Sequence, residues 1–259
     1  MSVKLHSTLH GDGPPVVLLH GLFGSGNNLG SLARSLSDRF QVHSVDLPNH
    51  GRSGWAEQAG LAAMAQALLD WMHHHGLGSA SLLGHSLGGK VAMELALGHP
   101  ERVDSLVVAD IAPVAYKPHH DDVFAGLGAV AASPCGSRRE AATRMEQHIQ
   151  EPDVIQFLLT SLKRDEDGNY RWRFNLEGLR QNYAAVRDAP DLPGPYRGPV
   201  LFIKGGESDY IQESHRTHIM ALFPQAQLKV MPGCGHWLHA QHPRLFNGLV
   251  GRFLDAQSP

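Results

Sequence analysis

The sequence predicts an α/β chain in which a mostly parallel central sheet is flanked by helices and a helical insertion interrupts it between two late strands. Three observations carry this. Short continuous apolar runs such as Pro15-Val16-Val17-Leu18-Leu19 read as strands buried on both faces. Stretches with helical spacing of apolar residues separate them. From residue 113 to 195 the strand signature stops, and it resumes at Pro199-Val200-Leu201-Phe202-Ile203-Lys204-Gly205.

Taken in order, the first strand covers 15–19 and runs into His20-Gly21, and the second covers 42–47. A helix over 61–75 follows, with Leu61, Met64, Ala65, Leu68, Leu69 and Met72 on one face. Residues 80–83 form the next strand, 89–97 a helix, and 103–109 a strand ended by Asp110. Within the insertion, 151–162 and 176–186 have helical periodicity, and Tyr170-Arg171-Trp172-Arg173-Phe174 reads as a short extended segment at the rim. After the 199–205 strand come a helix at 213–222 and a last strand at 227–231, while residues 256–259 are expected to fray. The expected division is a core of 1–112 with 196–259, and a cap of 113–195.

Composition narrows the function classes. The 259 residues suffice for one large core with an inserted cap, and 42% hydrophobic against 18% charged residues is ordinary for a globular chain. A net charge of -3 lacks the basic excess that nucleic-acid binding requires, so no such partner is expected. Cys135 and Cys234 belong to no C-x-x-C pair or disulfide framework, which makes a reducing cytoplasm the default location. Residues 1–14 lack the basic and apolar regions of a classical signal peptide, and no apolar run approaches the ~18 residues of a membrane span. Among eighteen histidines, His73-His74-His75 invites a metal reading. Adjacent helix positions point about 100° apart and do not converge on one ion, so a helix end facing the negative end of the dipole is preferred.

The sharpest chemical signal is Gly84-His85-Ser86-Leu87-Gly88, directly after a strand and before a helix, the setting of a G-x-S-x-G nucleophile elbow. The turn is tight enough to demand small residues two before and two after the serine. The helix start also aims backbone N–H groups and a positive dipole end at the charge that develops in acyl transfer. One oxyanion donor is then expected from Leu87, and the second from the loop His20-Gly21-Leu22-Phe23-Gly24, at Leu22 with Phe23 as the neighbouring possibility. A phosphate-binding loop is excluded there because no Gly-Lys-Ser/Thr follows.

A serine hydroxyl needs a base. Gly233-Cys234-Gly235-His236-Trp237, after the last strand, offers His236, with His239 and His242 as competitors placed where the final helix begins. Two strand ends offer the acid that orients it, Asp110 and Asp209. Counting from Pro199 puts Ser208 rather than Asp209 at the expected acid position, which favours Asp110 and leaves Asp209 as the alternative.

His20-Gly21-Leu22-Phe23-Gly24-Ser25, Asp46-Leu47-Pro48-Asn49-His50-Gly51-Arg52-Ser53, Gly84-His85-Ser86-Leu87-Gly88-Gly89, Asp110-Ile111-Ala112-Pro113, Gln156-Phe157-Leu158-Leu159, Trp172-Arg173-Phe174-Asn175 and Gly235-His236-Trp237 together resemble the YbfF-type bacterial esterases of the α/β-hydrolase superfamily. The resemblance implies the α/β-hydrolase fold and a cofactor-free esterase for short acyl esters, with thioesterase activity toward acyl-CoA in some members. It also implies a triad acid after the strand preceding the cap, which falls on Asp110. The family's Gly-Gly-x-Ser pattern falls on 205–208 and gives Ser208 a hydrogen bond in the triad region; Asp209 beside it departs from the pattern and keeps the second acid open.

The expected chemistry is therefore a serine carboxylesterase: Ser86 attacks, His236 takes and returns the proton, Asp110 orients the imidazole, and Leu22 and Leu87 hold the oxyanion, without metal or cofactor. Phe23, His85, Ser208 and Trp237 are the expected substrate contacts. Phe124, Phe157, Leu158, Trp172 and Phe174 are candidates for the cap's lining, and Arg138, Arg139 and Lys163 for contacts to the phosphates of a CoA thioester. Dehalogenases and epoxide hydrolases of this fold place a carboxylate where Ser86 stands. A perhydrolase or carbon–carbon bond hydrolase would keep the same triad, and a non-catalytic receptor would not need it.

Overall fold

In the computed structural model, residues 3–190, 192 and 194–257 are described. Among these, seven strands form the central sheet: β1 (Ser7–His10), β2 (Pro15–Leu19), β3 (Gln41–Val45), β4 (Ala80–His85), β5 (Val103–Ala109), β8 (Val200–Gly205) and β9 (Ala226–Met231), in the order β1-β3-β2-β4-β5-β8-β9. Only β1 runs antiparallel, pairing Ser7 with Val45. The inner strands are apolar throughout because helices cover both faces: β4 pairs with β2 on one side and β5 on the other, and Leu82, Leu83, Val107 and Val108 are wholly buried.

One face packs on α2 (Leu61–His74) and α3 (Leu87–Gly98), the other on α1 (Gly30–Leu36) and α11 (Pro243–Gln257). On α2 the expected apolar face is buried save for Leu69, which is half-buried, while Ala67 and Trp71 join it. The triple histidine closes this helix, with His75 as its cap and His75 Nδ1 donating to the Trp71 carbonyl at 2.9 Å. Among the described residues no group of three or more metal-ligating side chains gathers anywhere, and no helix is long and apolar enough to cross a membrane.

Between β5 and β8 the chain forms α4 (Asp121–Ala131), α5 (Arg138–Met145), α6 (Pro152–Leu159), a ribbon of β6 (Leu162–Arg164) and β7 (Tyr170–Trp172), then α7 (Leu176–Gln181) and α8 (Tyr183–Arg187). The sequence reading missed β1, α1, α4, α5 and β6, and merged others. Its 151–162 helix stops at Leu159, since Leu162 turns into the ribbon. Its 176–186 helix breaks at Asn182, whose side chain bonds Ala59 N–H, Glu57 O and Gly178 O instead of continuing the turn. Ala256 and Gln257, expected to fray, belong to α11; Ser258 and Pro259 lie outside the described residues, as do Met1, Ser2, Asp191 and Pro193.

These inserted elements build their own apolar cluster, and Phe23 from the loop after β2 enters it, 3% exposed and packed edge-on against Phe124 at 5.3 Å. Two polar contacts add to that anchor: Ser161 Oγ donates to the Phe23 carbonyl at 2.6 Å, and the Asn175 amide to the Asn49 carbonyl at 2.9 Å. The insertion thus sits at the carboxyl ends of the parallel strands, where α/β sheets bind ligands.

Candidate active site

Ser86 stands between β4 and α3 with φ 53° and ψ -118°, a backbone conformation that costs energy for any side-chain-bearing residue. The surroundings hold it there. Its amide donates to Ala109 O at 3.0 Å, and the glycines on either side permit a close approach. A Cβ on Gly84 would lie 2.1 Å from Gly88 O, and one on Gly88 would lie 2.4 Å from Leu19 O. Leu87, the first residue of α3, presents one of the amides that a helix start leaves unpaired.

His236 Nδ1 lies 2.8 Å from Asp110 Oδ2. Asp110 is fully buried at the end of β5, with φ 53°. Its Oδ1 accepts from Gly205 N–H at 2.9 Å, and Oδ2 accepts a second, short hydrogen bond from Ser208 Oγ. Three donors on one buried carboxylate fix the face it turns to the imidazole. Asp209, the alternative acid, is exposed, and no bond joins it to His236. His239 is buried in α10 (Leu238–Gln241) against His85 and Phe246, with burial holding it neutral down to about 4, and His242 caps that helix, so neither competitor reaches the carboxylate.

A cavity of about 270 Å³ joins these groups, lined by Ser86, His236, Leu22, Phe23, Leu87 and His85 among others. Ser86 Oγ and His236 Nε2 are not in hydrogen-bond contact, a pairing that often tightens only around bound substrate. The oxyanion alternatives separate. Phe23 N–H donates to His50 Nε2 at 3.1 Å, while His50 Nδ1 donates to Pro48 O at 2.8 Å. With the Phe23 amide engaged, Leu22 is the free candidate in that loop. His20 is spent in the same way, donating from Nδ1 to Gly21 O and accepting Leu47 N–H at Nε2.

His85, Phe23 and Trp237 line the cavity as expected for substrate contacts. Ser208 does not: its hydroxyl is buried and donates to Asp110, so the expected substrate contact is corrected to a contact with that carboxylate. Of the expected cap lining, Phe157 and Leu158 face the cavity. Phe124 is turned into the insertion's own apolar cluster, and Trp172 stacks on Phe174 at 5.2 Å away from the cavity. Arg138, Arg139 and Lys163 are also absent from the wall: Arg138 reaches Leu162 O, and Lys163 lies on the outer ribbon.

Sequence reasoning missed several groups. Tyr210 stacks on His236 at 4.1 Å and 23°, and His119, His120, Tyr183 and Lys90 line the cavity. Lys90, 2% exposed, donates to Val114 O at 2.9 Å, Arg187 O at 2.6 Å and Asp188 O at 2.5 Å, tying together the strands of chain that enter and leave the insertion. Asn49-His50-Gly51 was visible as a motif, but its bond to the Phe23 amide spans 27 positions and leaves no local signature.

An elbow serine over a parallel sheet, with a carboxylate-held histidine from the last loop, defines the class, and the chain belongs to the alpha/beta hydrolase family, whose family model matches residues 16–249. It is 42% identical to esterase YbfF of Escherichia coli (strain K12), over 93% of each chain. It is 40% identical to the sn-1-specific diacylglycerol lipase ABHD11 of Mus musculus, over 96% of this chain and 84% of the other. The solved structure of a marine microorganism esterase superposes with a TM-score of 0.93 at 37% identity, covering 97% of this chain and 100% of that one. The resemblance to YbfF-type esterases holds, and its relatives include both esterases and lipases.

Proposed function

We propose that this protein is a serine carboxylesterase for short to medium acyl esters, and that residues 113–195 act as the cap that selects them. The carrying observation is the buried Asp110–His236 contact of 2.8 Å, in the cavity that holds Ser86 on its strained elbow. Ser86 Oγ attacks the ester carbonyl while His236 Nε2 takes its proton, and Asp110 keeps the remaining proton on Nδ1 and stabilises the imidazolium. Negative charge on the carbonyl oxygen is received by the amides of Leu22 and Leu87. His236 returns the proton to the departing alcohol, and water then releases the acyl group by the same route.

The small cavity and its apolar wall at Val154, Phe157 and Leu158 favour modest acyl chains. An ester is favoured over a CoA thioester, because none of Arg138, Arg139 and Lys163 lines the cavity. Hydrolysis of p-nitrophenyl esters from acetate to laurate tests the reading. Turnover is expected to peak at the shorter chains and to be abolished in Ser86→Ala; full activity in Ser86→Ala would overturn the mechanism.

A further inference from the structure

Four rings in the cavity wall, His119, His120, Tyr183 and Tyr210, take no part in the proposed acyl transfer. Their hydrogen bonds fix the proton of His119 and pair His120 with Tyr183. His119 Nδ1 lies 2.9 Å from Lys117 O, which can only accept, so Nδ1 carries the proton and Nε2 accepts from the Tyr210 hydroxyl at 2.7 Å. The Tyr183 oxygen accepts the His119 amide at 3.3 Å and lies 2.6 Å from His120 Nδ1, a pair in which we take the phenol as the donor. An imidazole that accepts at Nδ1 carries its proton on Nε2.

With Tyr183 as the donor in that pair, His120 is a neutral ring that presents Nε2–H. Burial, aided by His119 and His236, pushes its pKa down to about 3. Its Nε2 has no protein partner among the described residues and is not sealed inside the protein, and the ring that carries it lines the cavity. The ring also packs edge-on to Phe23 at 6.4 Å, beside the candidate oxyanion loop.

The geometry points to His120 as a specificity-determining residue whose Nε2–H donates to an uncharged acceptor oxygen of the substrate, remote from the scissile carbonyl: an ether, hydroxyl or second ester oxygen. The inference rests on the esterase reading above. An alkyl chain laid against His120 leaves this donor without a partner, whereas an oxygen at the same position satisfies it. A carboxylate gains no charge from a neutral ring. Of the two cations nearby, Lys90 is held by three carbonyls, and Arg187 donates from Nη1 to Tyr116 O with its guanidinium over the Tyr183 ring, its Nε being buried without a partner among the described residues.

The test compares isosteric esters that differ by one CH2-to-oxygen exchange: butyl acetate with 2-methoxyethyl acetate for the alcohol side, and ethyl pentanoate with ethyl 3-methoxypropanoate for the acyl side. Wild type is expected to favour the oxygen-bearing member of one pair by about tenfold or more in kcat/KM. That ratio should fall to near unity in His120→Phe, fall partly in Tyr183→Phe, which frees the tautomer, and recover partly in His120→Gln, which restores an N–H. Should His120→Phe not fold, the Tyr183→Phe ratio decides. Ratios near unity in wild type for both pairs, or a preference that survives His120→Phe, would overturn the inference while leaving the esterase reading intact. Preference for an ester bearing a free carboxylate over its methoxy counterpart would overturn the uncharged assignment. No turnover of any of these esters, or turnover that Ser86→Ala does not reduce, would strike the esterase reading instead.

Discussion

Replacing Asp110 by Asn changes no volume and tests the hydrogen-bond logic directly. Asp110 Oδ2 accepts from both His236 Nδ1 and Ser208 Oγ, and Oδ1 accepts from Gly205 N–H. A carboxamide has one acceptor and one donor end. With its NH2 toward His236 it drives the imidazole to the tautomer that protonates Nε2, the nitrogen that must accept the serine proton. Turned the other way, the NH2 meets the Gly205 amide in a site with no exposure to water. The first orientation costs the base; the second costs an unpaired buried donor of about 1–3 kcal/mol. The expected kcat loss is about 10³- to 10⁴-fold, or about 4–5.5 kcal/mol in the barrier. Steady-state turnover of p-nitrophenyl butyrate by wild type, Asp110→Asn and Asp209→Asn reads it, with urea midpoints to confirm folding. A folded Asp110→Asn within tenfold of wild type, or a larger loss in Asp209→Asn, would refute the assignment of the acid.

Three further outcomes follow from the geometry. Lys90→Met leaves three carbonyls at the base of the insertion without their donor and is expected to destabilise the fold by about 3 kcal/mol or more, read as a lowered urea midpoint at unchanged m-value. Gly84→Ala places a Cβ 2.1 Å from Gly88 O, backbone against backbone, so the elbow must open; loss of esterase turnover together with a clear drop in Tm is expected, while Gly76→Ala, with nothing near its Cβ, should keep turnover and lose only the small cost of its positive φ. His50 is held neutral to about 3 by burial, whereas an unfolded imidazole protonates near 6.5, so the unfolded chain gains a proton that the native chain refuses and stability falls as pH drops through that window. His50→Gln should flatten the stability slope between pH 6 and pH 4 by about 1.4 kcal/mol per pH unit; an unchanged slope in urea titrations would contradict a neutral His50.

Much of this site was legible because its strongest constraints are local. Gly84, Ser86 and Gly88 are fixed by one turn between a strand and a helix, and a buried parallel strand announces itself by an unbroken apolar run such as Val16-Val17-Leu18-Leu19. Order along the chain then pointed to His236, and left Asp110, favoured by counting from Pro199, beside Asp209. The edge strand β1 escaped because its half-exposed Ser7-Thr8-Leu9-His10 needs no apolar run, and α5 because five of its eight residues are polar.

By itself, then, the sequence determined the alternation of strands and helices, the elbow with its nucleophile, and the short set of candidates for base and acid, since each depends on neighbours within a few residues. Only the tertiary structure placed Asp110 rather than Asp209 against His236, put the Ser208 hydroxyl on Asp110, engaged the Phe23 amide with His50, and set His120 in the cavity wall beside Tyr183. The physical reason is the same each time: these roles are set by which donor meets which acceptor across 27 to 126 positions of chain, and hydrogen bonding of that range leaves no periodicity to read.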